Sequence, residues 1–147
     1  MEKIAIITSG FLPVPASKGG AVENIVVNLL NENEKNNKVE FNVVSIFDDI
    51  SYNESKKYSK SNFNFIKVNP LIKFIDKITF LIAKKILKKE NSQSYRYIFQ
   101  RLYYLNKCSK ILKKNDFDKV ILENHPTQYL ALKWRKNYLK YAGRYYY

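Results

Sequence analysis

One cysteine, Cys108, stands in 147 residues, and the only histidine is His125. A lone thiol forms no internal disulfide. With a single imidazole there is no cysteine–histidine cluster to hold zinc, so no metal is expected. Such cysteine usage suits a reducing, cytoplasmic setting. Long apolar runs are missing too. The uncharged stretch ITFLIA, 78–83, is far shorter than a membrane span. The opening, MEKIAIITSG, has an apolar run too short for a signal peptide.

Arginine is scarce: four of the 26 basic residues, the other 22 being lysine. The formal charge of +13 is unevenly spread. Residues 1–70 hold eight basic and eight acidic side chains, so the whole excess falls in 71–147. Two readings stay open. Abundant lysine, asparagine, isoleucine and tyrosine match the codon bias of an AT-rich genome, or the excess is an electrostatic footprint for an anionic surface. What the chain does have is apolar substance. Apolar residues make up 46% and aromatics 15%, enough for one folded domain with a real core.

KIAIITS (3–9) reads as a strand buried on both faces, and AVENIVVNLLNENEK (21–35) as an amphipathic helix. VEFNVVSIF (39–47) and NFNFIKV (62–68) are further strands, joined by a polar loop. Helices are expected over 71–90 and over 94–114, the second with Ser94 as its cap. FDKVILENH (117–125) is a fourth strand, PTQYLALKWRKN a helix, and GRYYY the start of a fifth strand. This order predicts an α/β fold: a Rossmann-like, doubly wound, mostly parallel sheet with helices on both faces. We take 1–147 as a single domain. Its abrupt finish is expected to mean either an edge strand or the front part of a longer protein.

The loop GFLPVPASKGG is long for a strand-to-helix connection, and it lies where open sheets bind ligands. Gly19 and Gly20 stand at the mouth of the helix, where unpaired N–H groups and missing Cβ atoms suit a phosphate or a sugar hydroxyl. A plain tight turn is the alternative. The dinucleotide fingerprint fails, since Gly10 and Gly19 are too far apart, and Asp48 and Asp49 after the second strand cannot replace it. A P-loop fails as well, because Lys18 precedes the glycines and Ala21 and Val22 follow them.

KIAIITSGFLPVPASKGGAVENIVVNLL resembles the opening of family 4 glycosyltransferases of the two-Rossmann-domain (GT-B) class, and Glu23 fits the glutamate often carried by their first helix. FDKVILENHPTQY is similar to their strand D-x-I-x-x-H, with Asp118, Ile121 and His125 matching in order, though not in perfect register. The resemblance runs the length of the chain, but 48–115 carries no diagnostic residue.

The resemblance implies an acceptor-side half, with the donor-binding C-terminal domain absent. It implies a retaining, sugar-nucleotide-dependent transfer, in bacterial surface polysaccharide synthesis, that this half does not perform alone. Gly19 and Gly20 would bind substrate in the interdomain cleft, and His125 would act beside the transferred sugar. No cofactor is implied beyond the sugar nucleotide as donor substrate. Implied partners are a glycan or lipid-linked acceptor and a separate polypeptide carrying the other half. The alternative is a non-catalytic α/β module that binds sugar or phosphate, or that regulates a partner.

In 71–90, Ile75, Ile78, Ile82 and Ile86 fall on one helical face, amid six lysines. Either this helix packs on the sheet with a lysine-rich solvent face, or it lies on an anionic membrane surface, placing the protein on the inner membrane face. Tyrosines among Arg96 and Arg101 read as core or rim; nucleic acid is the disfavoured partner.

Overall fold

The computed structural model describes residues 1–86, 88 and 96–123. Four strands form one parallel sheet: β1 (Glu2–Ile7), β2 (Val39–Ile46), β3 (Ser61–Ile66) and β4 (Lys119–Leu122). Their order across the sheet is β3-β2-β1-β4. The expected doubly wound α/β architecture is therefore present.

Each strand splits its apolar residues between two faces because successive side chains point to opposite sides. Ile4 and Ile6 of β1, with Phe41 and Val43 of β2, pack beneath Val26 and Leu30 of α1 (Ala21–Asn36). Ala5, Ile7 and Val44 face the other way, onto Tyr104, Leu105, Cys108 and Leu112 of α4 (Ile98–Lys114). The register aligns one such layer across the sheet: Ile121 beside Ile6, Ile6 beside Val43, Val43 beside Phe63.

Helix α1 ends where Asn37 turns left-handed, at φ 47°, and donates its N–H to the Asn33 carbonyl at 2.7 Å. Asn33 is itself buried. Its amide donates to the Val39 carbonyl at 2.7 Å and accepts from the Val39 N–H at 3.1 Å, which clamps the helix end to the start of β2.

The polar stretch after β2, expected as a loop, contains a short helix, α2 (Asp49–Ser55). Asp48 caps it, accepting from the Ser51 N–H. Only Ser51 and Ser55 are buried along it, so hydrophobic periodicity gave no sign of a helix there. The helix expected over 71–90 is α3 (Pro70–Leu81), followed by one wider π-helical turn from Ile82 to Ile86. Helix α4 begins at Ile98 rather than at 94; Ser94 lies outside the described residues. So do the last expected helix, the expected fifth strand and His125.

Candidate functional site

The chain leaves β1 toward β2 on one side and returns through β4 on the other. The switch point of this sheet thus lies between the carboxyl ends of β1 and β4, where open α/β sheets hold ligands. The loop from Thr8 to Gly20 leaves β1 beside it and is tied toward β2 and α2 by hydrogen bonds from Val14 to Ser45, Ser51 to Pro15 and Ser17 to Asp48. Gly10, Gly19 and Gly20 all have positive φ, at 75°, 74° and 112°. At Gly10 space demands glycine as well. A Cβ on Gly10 would lie 2.7 Å from the ring of Tyr104, because α4 crosses directly beneath. A Cβ on Gly20 would run into the carboxylate of Glu23 and come within 2.9 Å of Leu12. A Cβ on Gly19 would meet nothing within 4 Å, so that position opens outward.

The mouth of α1 is not the empty anion cradle that the glycine pair suggests. Gly20 is the capping residue, and no side chain hydrogen-bonds the cap. The Gly19 N–H is committed to the Ala16 carbonyl at 3.1 Å. The Glu23 carboxylate folds back over Gly20 and accepts from the Ser9 hydroxyl at 3.1 Å. A carboxylate in the first turn already complements the helix dipole.

A second acid joins it from β4. The Glu123 N–H donates to the Ile7 carbonyl at 3.0 Å, continuing the ladder one residue past the strand. The Glu123 side chain is 9% exposed, and its Oε2 has no hydrogen-bond partner among the described residues. Burial, and then the neighbouring Glu23 charge, push its carboxyl up to about 8. Near neutral pH the switch point therefore holds one carboxyl that keeps its proton. Together the two carboxyls offer the donor and acceptor atoms that hydroxyl groups match, and both side chains are buried.

Positive charge collects next door. A cavity of about 770 Å³ opens between the first loop, the ends of β2 and β3, and helices α3 and α4. Lys18, Lys73, Lys77 and Arg96 line it together with aromatic rings. Phe11 packs on Tyr97 with ring centres 5.3 Å apart, and the Arg101 guanidinium lies 4.9 Å over the Phe11 ring. The Gln100 amide donates to the Gly10 carbonyl at 3.0 Å, fixing α4 against the loop. Lys18 is held by Asp48 at 2.7 Å, and this hydrogen bond leads the effects that lower the Asp48 carboxyl to about 2. Ser17 also donates to Asp48, at 2.8 Å.

Of the residues expected to form the site, Gly19 and Gly20 stand just before the first residue of α1. His125 lies outside the described residues, two positions beyond Glu123. Glu123 was the residue passed over: an acid at the carboxyl end of a strand flanking the switch point was the available signal. Among the described residues no three His, Cys, Asp or Glu side chains gather to hold a metal. Scans of protein-family models, curated proteins and solved structures return no match to this chain.

Proposed function

We propose that this chain is the acceptor-side domain of a retaining, sugar-nucleotide-dependent glycosyltransferase. It works in bacterial surface polysaccharide synthesis, at the inner face of the membrane, and needs a donor-binding partner domain for turnover. The observation that carries the reading is the exposed, outward-opening Gly19 at the head of α1, whose neighbour Gly20 is covered by Glu23. Both residues have positive φ, beside the switch point. The acidic pair refines it. Glu23 and Glu123 suit sugar hydroxyls, while the neighbouring basic and aromatic cavity suits an anionic, partly apolar acceptor. The role of His125 beside the transferred sugar comes from the family resemblance.

Buried carboxyls without a described phosphate cradle also favour a second reading, a module that binds sugar and regulates a partner. Transfer from a sugar nucleotide is measured on the chain alone and with a candidate donor-binding polypeptide. Turnover only with the pair, lowered at least about tenfold by Gly20→Leu in a chain that keeps its circular dichroism, is the expected result. Sugar binding without transfer in either case selects the module. Neither binding nor transfer overturns both.

A further inference from the structure

Helix α3 buries little of its apolar surface. Leu71, then Phe74 and Ile75, then Ile78 and Ile82 follow one another three or four positions apart and so form one stripe along the helix. All five are exposed, Leu71 at 62% and Phe74 at 59%, and Ile86 at 71% extends the stripe through the π turn. The face turned inward is different. Asp76 and Ala83 are buried there, and the Asp76 carboxylate accepts from the Phe99 and Gln100 N–H groups of α4 at 2.9 and 2.8 Å. Lys73, Lys77, Lys84 and Lys85 are exposed beside the stripe. Asp76 is the only acid from Pro70 to Ile86, and it is turned away.

We infer that this stripe is a docking face for an anionic phospholipid surface. A solvent-facing row of large aliphatic side chains edged by lysines, with no exposed acid, matches an acyl boundary under negative headgroups. Charge complementarity selects this occupant. A second copy laid on the same face would bring two lysine rows together, and like charges in such a contact oppose association. The orientation also has a consequence: Lys73, Lys77 and Leu81 line the basic cavity as well, so a domain lying on α3 opens that cavity beside the lipid surface. The inference stands without the transferase reading.

The test is sedimentation of the purified chain with vesicles of phosphatidylcholine, with and without phosphatidylglycerol. Binding is expected only with phosphatidylglycerol and weakens as salt rises. Phe74→Ser with Ile78→Ser, and separately Lys84→Glu with Lys85→Glu, each lower partitioning by at least about tenfold while circular dichroism is unchanged. If the serine pair unfolds the chain, the glutamate pair reads the same face. Absence of binding, equal binding to neutral vesicles, or unchanged partitioning of the glutamate pair overturns the inference. A dimer that Ile78→Ser disrupts, in a chain that ignores vesicles, assigns the stripe to a second copy instead.

Discussion

Glu123 shows how much one side chain can reveal. Its carboxyl is about 8 in the folded chain, against roughly 4.3 for an exposed glutamate. The folded state therefore binds the proton more tightly than the unfolded state. The stabilising contribution is complete below about 4.3 and is lost as pH rises through about 8. Urea unfolding at both ends of that window should show wild type weaker at the alkaline end, by on the order of a few kcal/mol. Glu123→Gln keeps the shape and cannot ionise, so its two curves should nearly coincide. An equal pH dependence in both proteins would place the titration elsewhere.

Asp48 works in the opposite sense. Its carboxyl is lowered to about 2, first by the hydrogen bond to Lys18. That contribution is present above the ordinary carboxylate range and is lost as pH falls through about 2. The two acids, each just past the carboxyl end of a strand, thus respond in opposite senses, one to acid and one to alkali.

Among the elements, α4 is the one whose start depends on another helix. Tyr97 occupies its capping position and makes no side-chain cap. The groups a cap would satisfy, the Phe99 and Gln100 N–H groups, are met by Asp76 from α3. Asp76 is buried, so removing it leaves two amide donors with no acceptor and no ready access to water. Asp76→Ala should cost about 1–3 kcal/mol in denaturant unfolding and speed amide exchange at Phe99 and Gln100. Asp76→Asn keeps an acceptor oxygen and should lose less. The same contact fixes Asp76 on the inward face of α3, opposite the exposed apolar stripe.

Over the molecule as a whole, α4 ties the sheet to the site. Tyr104 is fully buried; its hydroxyl donates to the Val44 carbonyl at 2.7 Å and lies 3.1 Å from the Thr8 hydroxyl, joining α4 to β2 and to the first residue after β1. Cys108 sits one turn further along, in the same core cluster. Desolvation pushes its thiol up to about 12. An aromatic disulfide reagent should therefore leave Cys108 unmodified in the native chain and react with it only through global opening. Its labelling rate should rise with urea as steeply as the equilibrium unfolding curve. A shallow dependence on urea would mean that α4 lifts off the sheet locally.

Local patterning in the chain was enough to specify the sheet and the two faces of its core. The continuous apolar run of KIAIITS, the apolar positions of VEFNVVSIF and the helical spacing of Val26 and Leu30 are local patterns that depend on backbone geometry and burial alone. The glycines of the first loop were legible for the same reason, since positive φ is a property of one residue. The pairing of two acids at the switch point was not legible in this way. Glu23 and Glu123 are 100 positions apart in the chain. Their coupling arises because β4 pairs with β1. Asp76 likewise became a helix cap through packing, on the face of α3 opposite its exposed apolar stripe. Interactions of this kind depend on where distant segments meet, and no periodicity within either segment encodes the meeting.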